Sequence, residues 1–170
     1  MCCRFPLAPF VLGLSITNPM MRSRAMNVQD TTSDEAKIRN LIDERAKAIH
    51  AKNAGGVVSC QTPDYVEFSL APPLAHTTDA KGLNAWFSTW QGPIGSETRD
   101  LKIVASGDTA FSHGLSRMTG TKTDGEKIDL WFRETLCFRK TDGAWKIAHE
   151  HTSVPFYMDG SFRAAIDLKP

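Results

Sequence analysis

Residues 122–156 read KTDGEKIDLWFRETLCFRKTDGAWKIAHEHTSVPF. Two Thr-Asp-Gly triplets, 123–125 and 141–143, punctuate segments rich in aromatic and branched residues. Asp-Gly between apolar runs signals a hairpin, and a three-residue loop ending in glycine suits a type I turn closed by a left-handed residue. Three antiparallel strands are expected, over about 109–121, 126–139 and 144–155.

Loop length sets register, and register decides which side chains share a face. With three-residue loops, His113 and His149 flank Thr135, Leu115 and His151 flank Arg133, and Arg117 and Ser153 flank Trp131. One face then runs from Phe111, Cys137, Trp145 and Ile147 into His113, Arg133, Trp131, His149 and His151. The other face carries Leu130, Phe132, Leu136, Phe138, Ala148 and Val154 and needs a cover of its own. A two-residue second loop is the alternative. It brings Glu134 beside His151 and groups Leu136 and Phe138 with Trp145 and Ile147.

The 170 residues suffice for one domain with one good core, and 41% hydrophobic with 23% charged residues is the balance of a soluble globular chain. A net charge of +1, without any basic stripe, gives no basis for binding nucleic acid or an anionic membrane. Cys2, Cys3, Cys60 and Cys137 are not spaced as metal ligands and read as reduced thiols of a cytoplasmic protein. Residues 1–28 form a tail outside the fold, with the domain over 29–170. Pro6 and Pro9 interrupt the tail's short apolar run, so no membrane span is expected. Ser23-Arg24-Ala25 has the form of a signal-cleavage site, although a single charge and the prolines argue against secretion; a true start at Met21 or Met26 explains the segment as well.

Thr32 and Glu35 form a capping box, and Ile38, Leu41, Ile42 and Ile49 recur at helical spacing, so a helix is expected over 33–52. Residues 57–61 suit a short second helix that closes before Pro63, and 65–70 a short strand. Asp79 caps a third helix with Leu83, Trp86, Phe87 and Trp90 on one stripe, ended by Gly92-Pro93. Trp86 and Phe87 read as core, and Trp90, at the helix end, as a pocket wall. Residues 98–105 alternate as a further strand. The result is α+β: a curved antiparallel sheet wrapped around helices to enclose a cone-shaped pocket.

In this order the segments DYVEFSLAPPL (64–74), AWFSTWQGPIG (85–95), the long run 129–156 and the closing DLKP (167–170) are similar to the nuclear-transport-factor-2-like superfamily. More narrowly, the chain resembles its SnoaL-like and ketosteroid-isomerase-like proteins over residues 33–170. The resemblance implies the cone-shaped pocket, a homodimer, and no metal or other cofactor. It leaves the activity open, because the superfamily holds isomerases, cyclases, dehydratases, epoxide hydrolases and proteins that only bind or dimerise. The ketosteroid isomerase base is an Asp on the strand after the second helix, where this chain has Glu67-Phe68-Ser69. The oxyanion-binding Tyr and protonated Asp have no counterpart, so steroid isomerisation itself is not expected.

On the residues, His113, His149 and His151 are the candidate acid–base groups, with Arg133 beside them to hold an anionic oxygen. Trp131, Trp90, Tyr65, Glu67, Ser69 and Arg117 are the candidate substrate contacts. The bland alternative makes the histidines core residues and pairs Arg133 with Asp129 or Glu134. His149-x-His151 with His113 also has the form of a metal set, but no carboxylate is placed to complete it. A small organic ligand is the expected partner, either turned over by proton transfer or only bound. The apolar stripe Leu130, Phe132, Leu136 and Phe138 is the expected dimer face.

Overall fold

The computed structural model describes residues 28–170, and side chains from residue 32 on. The expected tail lies outside the described residues except for its last position. Helix α1 spans Val28–His50, α2 Ala54–Ser59 and α3 Ala80–Phe87; strands β1 to β5 span Gln61–Phe68, Trp90–Ser106, Thr109–Lys122, Lys127–Thr141 and Ala144–Ser153. The five strands form one curved, open sheet in the order β1-β5-β4-β3-β2. Strands β2 to β5 run antiparallel, while β1 joins β5 in parallel. The α+β architecture holds.

Several element bounds differ from expectation for local reasons. The Thr32–Glu35 pair lies inside α1, and Asp34 instead accepts hydrogen bonds from Lys140 Nζ (2.8 Å) and Trp145 Nε1 (3.1 Å). Pro63 sits inside β1, which is an edge strand and tolerates a missing N–H. Gly92-Pro93 does not end α3, which already stops at Phe87; the pair lies within β2. Register breaks at Gln91/Gly95 and Arg99/Lys102 let this 17-residue strand bend with the sheet.

The two Thr-Asp-Gly triplets close differently. In the first, Lys122 N–H donates to Glu126 O (2.7 Å) and Gly125 N–H to Lys122 O (2.9 Å), the expected three-residue loop. In the second, Thr141 pairs with Ala144, leaving a two-residue loop in which Asp142 (φ 50°) and Gly143 (φ 79°) are both left-handed. That is the geometry of a type I′ turn, whose twist matches the strands it joins. Beyond it Ala148 is an extra residue on β5: Phe138 pairs with Ile147, but Cys137 pairs with His149.

The bulge reverses the parity of β5. Before it, Trp145 and Ile147 point into the core with Phe138; after it, Glu150 and Thr152 point inward with Glu134 and Leu136. Ile38 and Ile42 of α1 cover this inner face, packing with Tyr65, Leu136, Phe138, Trp145 and Ile147. The apolar stripe expected to meet a second copy is therefore covered within the chain, with Leu136 and Phe138 each 2% exposed. A second cluster joins α2, α3 and β2 through Val57, Phe87, Trp90 and Ile94. Among the described residues no helix is long and apolar enough to cross a membrane.

Candidate functional site

Between α1, α3, the 69–79 segment and the inner face of the sheet lies a cavity of about 680 Å³. Leu83, Trp86, Ile94, Met118 and Leu130 make an apolar part of its wall. Another part is strongly polar and is built from residues on five elements, α1, β1, β3, β4 and β5, and on the 69–79 segment.

Arg45 occupies the i+3 place from Ile42 on the buried stripe of α1, so the helix delivers a guanidinium to the sheet. Its Nη2 donates to Glu150 Oε2 and its Nη1 to Glu134 Oε1 (3.5 Å). Ser116 Oγ donates to Glu134 Oε2 (2.7 Å). Tyr65 Oη lies 2.8 Å from Glu150 Oε2 and 2.9 Å from Glu67 Oε2. A phenol has one proton to donate, and here it lies between two carboxylate acceptors. Thr78 Oγ1 also donates to Glu67 Oε2 (2.6 Å), and His76 Nε2 lies 3.1 Å from Glu67 Oε1. The backbones of Glu67 and His76 exchange two hydrogen bonds, which fixes the imidazole beside the carboxylate. His76 Nδ1 and Arg45 Nε are buried without a hydrogen-bond partner.

Electrostatics follow from crowding two carboxylates, Glu134 and Glu150, around one guanidinium. Burial pushes the Glu134 carboxyl above its ordinary value and the Glu150 charge adds to this, against the pull of Arg45. Burial and then the Glu150 charge raise the Tyr65 phenol far above its usual range, so it stays a donor. Burial disfavours the Arg45 charge, but Glu150 and Glu134 outweigh it and hold the guanidinium protonated.

The histidine group lies elsewhere. His113 flanks Thr135 with His151, His149 flanks Cys137, and Leu115 flanks Arg133 with Ser153. These side chains share one face, but it is the outer one, turned away from the helices. His113, Arg133 and His151 are exposed, and His149 Nδ1 meets Val66 O at 2.8 Å. The two-residue loop and the bulge offset one another beyond Ala148, so the histidines share a face with Arg133; Trp145 and Ile147, before the bulge, lie on the other face, and that is the one the helices cover. Trp131 is also on this face, buried under the guanidinium groups of Arg99 and Arg117, 4.9 and 5.7 Å from its ring. Trp90 is not on the cavity wall: it is 3% exposed in the second core cluster, and Trp86 lines the cavity instead. Glu67 and Ser69 do line it, Tyr65 stands behind Glu67 and Glu150, and Arg117 reaches the rim with its guanidinium taken by Asp129 and Glu97.

Sequence reasoning missed Arg45, His76, Glu134 and Glu150. Two signals were present. Arg45 interrupts the apolar stripe of α1, and Glu134 interrupts Leu130, Phe132, Leu136 and Phe138 at strand spacing. A charge inside an otherwise buried stripe needs a partner of opposite sign.

A helix-covered, strongly curved open sheet enclosing one mostly apolar cavity with a polar cluster in its wall defines a pocket protein of the nuclear-transport-factor-2-like class. The model of the SnoaL-like domain matches residues 38–157, and the chain belongs to that family. An NTF2-like protein of unknown function from Pseudomonas putida KT2440 is 30% identical and superposes with a TM-score of 0.70 over 82% of this chain and 99% of that one. A candidate ketosteroid isomerase from Shewanella frigidimarina is 24% identical (TM-score 0.56; 67% and 92% covered). The association domain of CaMKII from C. elegans is 14% identical (TM-score 0.61; 74% and 97% covered). No curated protein matches the chain.

Proposed function

We propose that the cavity binds a small, largely apolar organic molecule and moves a proton on it without a cofactor, by removal of an acidic C–H proton and its return. The observation that carries this reading is the Glu67–His76 pair on the cavity wall. Glu67 accepts from Thr78 and lies within reach of Tyr65 and His76, so its carboxylate is held in place and orients the imidazole. With Nε2–H donated to Glu67, His76 Nδ1 keeps a lone pair that no protein group uses. His76 is then the proton acceptor, and Glu67 stabilises the imidazolium that forms. The imidazolium then returns the proton, and Tyr65 links Glu67 to Glu150 on the same wall.

The test is deuterium uptake from heavy water into the α-carbon of a cyclic ketone, followed by NMR. The wild-type protein should catalyse uptake, and His76→Gln should slow it by about 10²- to 10⁴-fold. No uptake above the buffer rate with the wild-type protein would contradict the reading.

A second reading is assembly with another copy of the chain, as the exposed outer face carries Phe68 (41% exposed), Val104 (48%) and Phe111 (44%) beside His113, His149 and His151. It concerns the face opposite the cavity and is compatible with the first. Sedimentation should show a dimer that Phe111→Glu dissociates; a wild-type monomer at micromolar concentration would remove it.

A further inference from the structure

We infer that the cavity selects ligands with a basic nitrogen: an ammonium head at the Glu67–Glu150 wall and an apolar body along Trp86 and Met118. The inference rests on the cavity being the ligand site, and it names the chemical class that site would take. Among the described residues, two cationic side chains other than His76 touch the cavity, Arg45 and Arg117. Both are engaged by carboxylates, and Arg45 Nε, which has no partner, is buried. Arg45 is engaged by Glu150 and Glu134, and Arg117 by both oxygens of Asp129 and by Glu97.

The acidic side is in excess: Glu67, Asp79, Glu97, Glu134 and Glu150 all contribute to the wall. Asp79 is occupied in capping α3, Glu97 pairs at the rim with Arg99 and Arg117, and Glu134 is held by Ser116 and Arg45. Glu67 is engaged through Oε2 by Tyr65 and Thr78 and through Oε1 by His76, and Glu150 through Oε2 by Arg45 and Tyr65, so Glu150 Oε1 remains. Glu150 is 7% exposed, and its Oε1 takes part in none of the network's hydrogen bonds, which all end on Oε2. An anion would meet carboxylates at this wall with no unpaired cation to receive it. A neutral hydroxyl could donate one hydrogen bond there, whereas an ammonium adds charge and up to three donors.

The experiment is calorimetric titration of the full chain with three probes that share one apolar body: cyclohexylmethylamine, cyclohexylmethanol and cyclohexanecarboxylate. The amine should bind about tenfold or more tightly than the alcohol, since a charge-assisted hydrogen bond replaces a neutral one. The carboxylate should bind weakest. Glu150→Gln should erase the amine's advantage over the alcohol. Equal binding of amine and alcohol, or tighter binding of the carboxylate, overturns the inference on the wild-type protein alone. Failure of all three to bind overturns it as well. The deuterium-uptake assay separates this from the proposed function. Uptake without amine preference removes only the ligand class, and amine preference without uptake leaves a binding protein.

Discussion

Glu150 stands opposite Leu136, one place further along β5 than the Asp142-Gly143 turn alone would bring it. Counted from the Thr141–Ala144 pair, Leu136 would face His149; the extra residue, Ala148, moves His149 to Cys137 and sets Glu150 in its place. A single bulge thus exchanges imidazoles for carboxylates on the cavity wall.

Deleting Ala148 alone should leave Glu150 opposite Leu136, because a regular ladder then continues from Ile147 through His149. Deleting Ala148 and His149 together should instead turn Glu150 to the outer face and leave Arg45 without it in a buried site. Losing one partner of a buried ion pair costs about 3–5 kcal/mol, and urea denaturation should show a loss of that order for the double deletion and a smaller one for the single. Equal stability of the two variants would mean that the bulge does not set the register.

How much was legible follows from this. The hairpin order and the Asp79 cap could be read locally, because turn chemistry and capping act over a few residues. The same Thr-Asp-Gly triplet closing two loops of different length could not. Asp142 adopts the left-handed conformation in one, and the choice depends on the twist of the strands around it. The bulge at Ala148 has no local signature either. It satisfies the tertiary demand that Trp145 and Ile147 enter the core while Glu150 meets Arg45.

Arg45→Met should be among the most damaging substitutions in the chain. It keeps the apolar stem but leaves Glu150 and Glu134 buried without their cation, at about 3–5 kcal/mol. Adding Glu150→Gln to it should recover part of the loss, because an amide tolerates burial better than a carboxylate. The pair of denaturation midpoints checks both statements.

The pH dependence of stability should carry the mark of Glu134. Its carboxyl is raised in the folded chain, chiefly by burial, so the folded state holds a proton that the unfolded chain releases at lower pH. Its contribution is complete below the unfolded carboxylate's pKa and is lost as pH rises through the higher folded value. Glu134→Gln, which imitates the protonated carboxyl, should flatten that decline without abolishing folding. Denaturation series from mildly acidic to neutral pH should show the two curves converging at the acid end.

Gly120→Ala tests the packing of the second core cluster. A Cβ at this position would lie 2.9 Å from two carbons of the Trp90 ring, which is itself buried under Lys122 at 3.8 Å. Overpacking of this kind costs about 1–3 kcal/mol. An unchanged melting temperature would show that the indole can shift.

The most direct test of the central claim, that chemistry belongs to the inner face, is the ketone deuterium-uptake rate measured on three folded proteins side by side. These are the wild type, Glu67→Gln, and the outer-face triple variant His113→Ala/His149→Ala/His151→Ala. The wild type and the triple variant should exchange at similar rates, and Glu67→Gln should fall by about 10²-fold or more, since the imidazolium of His76 loses its carboxylate. A triple variant that loses uptake while Glu67→Gln retains it would contradict the account and place the chemistry on the other side of the sheet.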